Sequence, residues 1–257
     1  METITSRKNP LIRHFRSLAT ERSYRNKAGE YVCDGMKQLR EAIAFGAEVT
    51  HVLSTESTLS EIPPQLALTA VDAELLRWVS PLENSPGPVF SVKMNGAALP
   101  ENPERVLVLE NVQDPGNVGT VLRTAAAFGI DLVVLCGECA DPYNPKTVRS
   151  TMGAMFRQRF VLLDRAALAE QLRKWELPLY GAALSERAED IGKYDLSRCA
   201  VAVGNEGHGL SEEFLSLCQG ELIIPMEANS ESLNAAMAAG VIMWEMRRQG
   251  RQKLWQR

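Results

Sequence analysis

Side chains able to bind a ligand or move a proton gather in three loops in the second half of the chain. Asn111-Val-Gln-Asp-Pro-Gly-Asn-Val-Gly-Thr-Val-Leu-Arg123 carries Asn117 and Arg123 on the way from an apolar run into a helix. Gly204-Asn-Glu-Gly-His-Gly-Leu210 carries Glu206, and Ile224-Pro-Met-Glu-Ala-Asn-Ser-Glu-Ser-Leu-Asn234 carries Ser232 and Asn234. Glycines let the backbone approach a ligand closely, and Asn117 stands where an N-cap side chain would. Such loops suit a nucleotide cradle, but the usual fingerprints are absent. Gly204, Gly207 and Gly209 give the dinucleotide motif in reverse, no Gly-Lys-Ser/Thr follows any glycine cluster, and no Gly-x-Ser-x-Gly elbow occurs. Each loop alone is as well explained by a tight turn needed for packing. Three in succession, all at strand ends, point to one composite pocket.

The elements that position these loops are legible from periodicity. Apolar strands are expected at Val106–Leu109, Asp131–Leu135, Arg159–Leu163, Leu179–Ala183, Ala200–Val203 and Glu221–Ile224. Helices are expected at Val118–Phe128, after Asn144-Pro145, over Arg165–Trp175, after an N-cap at Ser211, and over about Ser232–Gln249. Wholly apolar strands alternating with helices predict a parallel sheet covered on both faces. Residues 96–104 are rich in Pro, Gly and Asn and read as a linker. Before it, residues 1–95 form a smaller α/β module, with helices at Asn9–Arg25, Met36–Phe45 and Asp72–Val79. Its strands are Tyr31–Cys33, Thr50–Leu53, one near Leu66, and Val89–Met94. On the last helix Leu233, Met237, Gly240, Val241 and Trp244 share one face, read as core or dimer packing.

With 257 residues, 45% hydrophobic and 23% charged, the chain is of ordinary globular composition. The longest apolar run is far too short for a membrane helix. The first residues lack the apolar core of a signal peptide, so a cytosolic protein is expected. Five scattered cysteines fit reduced thiols, and Cys136-Gly-Glu-Cys139 reads as chance spacing, without the second ligand pair a zinc site needs. The net charge of −4 argues against a protein coated in basic charge, yet seven cations against two acids make residues 1–27 +5 and leave the remainder −9. Arg7, Lys8, Arg13, Arg22 and Arg25 are the candidate phosphate contacts in that stretch. Taken alone, the same charges are read more simply as a solvated helix face.

Asp-Pro-Gly-Asn-Val-Gly-Thr-Val-Leu-Arg-Thr-Ala, Val-Gly-Asn-Glu-Gly-His-Gly-Leu and Ile-Pro-Met-x(5)-Ser-Leu-Asn-Ala resemble, in order, the three signature motifs of the SpoU/TrmH family of RNA 2'-O-ribose methyltransferases. Asp-Pro-Tyr-Asn-Pro-Lys-Thr-Val-Arg-Ser-Thr-Met-Gly-Ala resembles a further segment of that family. The match covers about Arg105 to Arg248. The first module is similar to the small L30e-like RNA-binding domain often fused ahead of the catalytic one, through Ile-Thr-Ser-Arg-Lys-Asn-Pro-Leu-Ile-Arg and Gly-Glu-Tyr-Val-Cys-Asp-Gly. Two departures are visible: Glu227-Ala228-Asn229 stands where the third motif usually carries a glycine, and Thr151 replaces a common serine.

The resemblance implies a C-terminal parallel α/β domain, residues 105–257, with a deep trefoil knot and working as a homodimer. It implies S-adenosylmethionine bound in bent form by the knotted loops, at the positions of Gly204, Ile224, Met226 and Leu233. The implied reaction moves a methyl group to a ribose 2'-hydroxyl, with Arg123 as the family's candidate for the proton step. An arginine is a poor base, so orienting substrate and screening charge is the other role open to it. Asn117, Glu206, Ser232 and Asn234 match the remaining polar positions, for chemistry or for loop geometry. The basic first module favours ribosomal over transfer RNA, with no metal and no membrane partner. A non-catalytic RNA-binding protein that keeps the knot is the alternative. A nicotinamide-dependent oxidoreductase lacks its glycine fingerprint.

Overall fold

The computed structural model describes residues 3–82, 85, 87–94, 96, 98–227 and 232–255, the side chains of 251–255 excepted. There are two compact units, Met1–Asn95 with Asp141–Arg157, and Gly96–Ala140 with Gln158–Arg257.

In the first unit the Asn9 side chain accepts from the Leu11 N–H at 2.9 Å and Pro10 opens helix α1, Pro10–Thr20. The single helix expected over Asn9–Arg25 is two helices. Glu21 takes extended backbone (φ −120°, ψ 110°), and α2 restarts at Arg22–Ala28, ending at left-handed Gly29 (φ 66°). The new helix axis turns Arg25 inward, where it is 2% exposed. Its guanidinium donates to the Leu18 carbonyl at 2.9 Å and pairs with Asp141 at 2.6 Å. Arg25 therefore leaves the set of candidate phosphate contacts, because pulling a buried guanidinium out would strand the Asp141 charge. Arg7, Lys8, Arg13 and Arg22 are exposed.

Strand β1 (Glu30–Asp34), helix α3 (Met36–Ala44), β2 (Val49–Ser54), β3 (Leu68–Ala70), α4 (Ala73–Val79) and β4 (Val89–Lys93) follow. The sheet runs β1-β4-β2-β3, antiparallel except between β2 and β3. Over one of its faces lie α1 and α4, whose Ile12, Phe15, Leu18, Leu75, Leu76 and Val79 pack on Val32, Leu53 and Val89.

The rest of the chain runs β5 (Arg105–Glu110), α5 (Pro115–Phe128), β6 (Leu132–Cys136), α6 (Pro145–Ser150), β7 (Phe160–Leu163), α7 (Arg165–Trp175), β8 (Leu179–Ala182), β9 (Glu189–Asp190), β10 (Cys199–Val203), α8 (Glu212–Leu215), β11 (Gly220–Ile223) and α9 (Ala235–Trp255). As expected, the large sheet is wholly parallel, ordered β7-β6-β5-β10-β8-β11-β9. Val106, Val108, Leu132, Val134, Ala200 and Ala202 face α7 and α8 through Leu168, Leu172, Trp175 and Phe214. Alternate residues point the other way, toward α5 and α9, which pack on each other. Because β5 and β10 are neighbours, the loops that leave their carboxyl ends lie side by side.

Between β6 and β7 the chain leaves this unit. Asp141–Arg157, which the sequence places inside the 105–257 domain, belongs to the first unit. There α6 packs on β1, Tyr143 stacks on Tyr31 at 4.9 Å, and Arg157 pairs with Glu41 at 2.8 Å. The contacts that hold it there are chemical: Asp141 pairs with Arg25 and Tyr143 stacks on Tyr31. Among the described residues no helix is long and apolar enough to cross a membrane.

Candidate active site

The first of the three loops is shaped by Asp114 and Asn111. The N-cap of α5 is Asp114, not Asn117: its Oδ1 accepts from the Asn117 N–H at 2.9 Å, and Pro115 occupies the first helical position. The helix thus begins three residues before the expected Val118. Asn111 takes a left-handed backbone (φ 54°), its Oδ1 accepting from the Glu138 N–H at 2.7 Å. Its carbonyl accepts from Asn205 Nδ2 at 2.9 Å, which ties the first loop to the second.

The second loop is a tight arch. Asn205 and Gly209 exchange backbone hydrogen bonds of 2.9 Å in both directions, and Asn205 Oδ1 accepts from the Gly207 and His208 N–H groups. Gly204 at its base has no room for a side chain: a Cβ there would overlap the backbone of Gly209 and Leu210. Glu206 sits at the tip and reaches the start of α5. Its carboxylate accepts from the N–H groups of Gln113 (3.2 Å) and Asp114 (3.1 Å) and from Asn117 Nδ2 (2.9 Å).

A relay follows from donor and acceptor types alone. Asn117 spends its NH2 on the carboxylate, so its Oδ1 faces outward and accepts from Asn234 Nδ2 at 3.1 Å. Asn234 is left with its own Oδ1, which caps α9 by accepting from the Ala236 N–H at 2.9 Å. Glu206, Asn117 and Asn234 thus join the three loops in one chain of hydrogen bonds. Asn234 lies just ahead of α9, which starts at Ala235 and not at the expected Ser232. Burial raises the Glu206 carboxyl, but the bonds from Asn117 and from the backbone N–H groups of Glu206, Asp114 and Gln113 outweigh it and hold the acid below its ordinary value. Because that value is depressed on folding, the stabilisation it brings is complete at neutral pH and is lost only as pH falls through the carboxylate range. Glu206→Gln is expected to cost about 1–2 kcal/mol in urea unfolding. On that background Asn234→Ala should cost less than it does alone, since the relay is already broken; strictly additive losses would mean that the two residues act independently.

Below the relay lies a cleft of about 430 Å³, lined by Gly204, Glu206, Ile224, Met226, Ser232 and Leu233 among others. That volume lies within the roughly 300–1,000 Å³ usual for small-molecule sites. Ile224 and Met226 are half-buried, and Ser232 and Leu233 are exposed. Opposite them stands the segment after β8, whose Leu184 and Ser185 line the same cleft. It is braced by Glu221, which accepts from Ser185 at 2.5 Å and pairs with Arg187 at 2.9 Å. Sequence reasoning passed over Leu184 and Ser185 because no glycine or asparagine cluster marks that strand end. Their position after a wholly apolar strand was the available signal.

Arg123 lies on α5, exposed and outside the cleft lining, with no hydrogen-bond or ion-pair partner among the described residues. Cys139 donates from its thiol to the carbonyls of Leu109 (3.3 Å) and Cys136 (3.4 Å), and burial pushes it up to about 11. A thiol so held is not a nucleophile. On α9 the buried side is Ala235, Ala236, Ala239, Ile242, Met243 and Met246. The expected face of Leu233, Met237, Val241 and Trp244 is not core but solvent-exposed, from 38% to 62%. Gly240 is not needed there for close approach, since a Cβ would stand an ordinary 4.0 Å from Thr124.

Comparison with known proteins places these features. The model of the SpoU rRNA Methylase family matches residues 104–244. An uncharacterized tRNA/rRNA methyltransferase from Synechocystis sp. is 34% identical over 260 residues, covering 96% of this chain and 94% of that protein. The 23S rRNA (guanosine(2553)-2'-O)-methyltransferase of Bacillus subtilis is 29% identical over 249 residues, covering 96% and 100%. Among solved structures, the SpoU methyltransferase AviRb from Streptomyces viridochromogenes in complex with the cofactor AdoMet superimposes with a TM-score of 0.84 at 26% identity, covering 95% of this chain and all of that one.

Proposed function

Since the chain belongs to the SpoU rRNA methylase family, we propose that it is an S-adenosylmethionine-dependent methyltransferase acting on the ribose 2'-hydroxyl of ribosomal RNA. The observation that carries this reading is the relay of Glu206, Asn117 and Asn234, which closes the three loops over a cleft of the right size. The cleft also has the right chemistry for the cofactor. Gly204 leaves bare backbone at its base, and Ile224, Met226 and Leu233 offer apolar walls for an adenine ring.

S-adenosylmethionine supplies a methyl carbon activated by a sulfonium. The protein's part is to hold the ribose oxygen in line with that carbon and to let the hydroxyl proton leave. Asn117 and Asn234 hold the loops together: one amide N–H of Asn117 is spent on Glu206 and one of Asn234 on Asn117. Glu206, anchored as an anion, is a positioning residue for the start of α5. Ser232, exposed at the cleft, is a hydroxyl contact for substrate or cofactor. Arg123 is the group with both charge and freedom to engage RNA. Its exposure supports a role in gripping a phosphate beside the target ribose.

The protein acts as a homodimer through α9. Supporting this, Met237, Val241 and Trp244 form an apolar stripe on that helix, extended by Phe128, whose ring lies 5.8 Å from that of Trp244. Trp244→Asp is expected to give a monomer in sedimentation with the fold intact; a wild type that sediments as a monomer would sink the assignment. The path of the chain also supports a threaded C terminus, because α9 leaves the far side of β8 and returns to pack on α5, β5 and β10.

The test is methyl transfer from labelled S-adenosylmethionine to 23S ribosomal RNA, followed by nucleoside analysis. A 2'-O-methylated nucleoside is expected. Label on a base would overturn the ribose assignment, and no label from a protein shown to bind the cofactor would overturn the enzyme.

A further inference from the structure

In the first unit Arg7 and Arg16 lie over a single indole. Their guanidinium carbons stand 5.4 Å and 5.3 Å from the Trp78 ring centroid. Neither is loose. Arg7 pairs with Glu74 at 2.8 Å, and Arg16 donates to the Trp78 carbonyl at 3.0 Å. Trp78 is itself half-buried, packed at the edge of the core that joins α1 to α4.

The fold gains little from this arrangement. Exposed cation–π pairs are worth about 0.5–1 kcal/mol and surface ion pairs about 0–1 kcal/mol. The two helices are already fastened beneath by Phe15, Leu75 and Leu76. Charge is concentrated at the same edge. Residues 3–20 and 72–79 hold five cations, Arg7, Lys8, Arg13, Arg16 and Arg77, against two acids, Asp72 and Glu74. Asp72 is committed to capping α4 through the Leu75 N–H at 2.6 Å. Lys8, Arg13 and Arg77 are exposed around the stack. The remainder of a chain with net charge −4 is acidic, so this edge stands out from it.

We propose that the edge where α1 meets α4 is an RNA-docking surface that takes an unstacked nucleotide on the Arg7–Trp78–Arg16 stack. The proposal rests on the reading of the protein as a ribosomal RNA methyltransferase. Two guanidiniums beside an indole offer cationic and aromatic groups on which an unpaired base stacks, and the exposed Lys8, Arg13 and Arg77 neutralise the adjoining phosphates. Only a loop, bulge or strand end offers a free base face; a continuous duplex does not. The exposed Arg7–Glu74 pair is cheap to open when a phosphate arrives.

The test uses the full chain, with fluorescence anisotropy on a labelled single-stranded RNA oligonucleotide and on a duplex of equal length. Methyl transfer to 23S ribosomal RNA is measured in parallel. The double variant Arg7→Gln, Arg16→Gln, the first exposed and the second half-buried, is expected to weaken single-strand binding roughly 10-fold or more. A second double variant, Lys8→Gln, Arg13→Gln, should flatten the plot of log affinity against log salt by about 1.4, two phosphate contacts at about 0.7 each. KM for the RNA should rise while kcat and cofactor affinity hold. Trp78→Leu should weaken single-strand binding and leave duplex binding unchanged. Unchanged single-strand affinity in the Arg7, Arg16 variant would overturn the proposal, as would an unchanged slope in the Lys8, Arg13 variant or an equal loss for single strand and duplex in Trp78→Leu. Failure of the wild type to methylate or bind RNA would instead bring down the reading beneath it.

Discussion

Arg123→Ala is expected to lower methyl transfer by about 10²–10³-fold, the scale seen when one hydrogen-bond donor is removed from a reacting centre. Cofactor affinity should stay within about twofold. Arg123 lies outside the cleft lining and has no intramolecular partner among the described residues, so its loss strands no buried group and opens no cavity. Stability should move by less than about 0.5 kcal/mol, as for other surface changes. Arg123→Lys should recover only part of the rate, because a compact ammonium does not reproduce a planar bidentate donor. Cofactor titration and single-turnover transfer on the same preparations separate the possibilities. If cofactor binding fell together with the rate, Arg123 would be shaping the cleft.

The second large effect concerns Gly204. A methyl group there meets main chain, the carbonyl and amide of Gly209 and Leu210, and main chain locked in a two-way bridge does not swing aside. Gly204→Ala should therefore force the arch of residues 204–210 off the base of the cleft. Cofactor affinity should fall roughly 100-fold or more, with a loss of stability of about 1–3 kcal/mol from overpacking. Gly207→Ala is the matched control. A Cβ at Gly207 would stand 3.6 Å from Asn205 Oδ1, an ordinary contact, so cofactor binding should be nearly unchanged. Calorimetric titration of both variants decides the matter, and equal losses in the two would mean that the arch is sensitive to any side chain and not to this clash.

The parallel sheet and the three loops were legible because each depends on local pattern. Strands buried on both faces are apolar throughout, and the loops that follow them are rich in glycine and asparagine. Asn117, Glu206 and Asn234 were singled out as residues, and the structure joins them by hydrogen bonds, but those pairings were not legible. Which of Asp114 and Asn117 caps α5 turns on Pro115, whose preference for the first helical position selects the residue before it. The inward turn of Arg25 was beyond the reach of periodicity. It depends on Asp141, 116 positions away, and a basic residue on an amphipathic helix looks the same whether it meets water or a distant carboxylate. The face of α9 bearing Met237 and Trp244 has the spacing of a core stripe. Spacing distinguishes apolar from polar sides, not a buried apolar side from an exposed one. The departure of Asp141–Arg157 from its own sheet is held by tyrosine stacking and ion pairs, neither of which leaves a mark on hydropathy.

That departure bears on how the protein is made. Ribosomes release the N-terminal residues first, at about 5–20 residues per second. When Asn95 has emerged, the first unit still lacks Asp141–Arg157. For the roughly 3–12 seconds needed to synthesise the next 62 residues, Arg25 has no carboxylate, Tyr31 has no stacking partner and β1 lacks its contact with α6. By the time the unit can close, β5 and β6 of the second are already outside the ribosome. The nascent chain must therefore finish its first body after it has begun its second, and a translational pause at the inter-unit linker would prolong the incomplete state instead of protecting it.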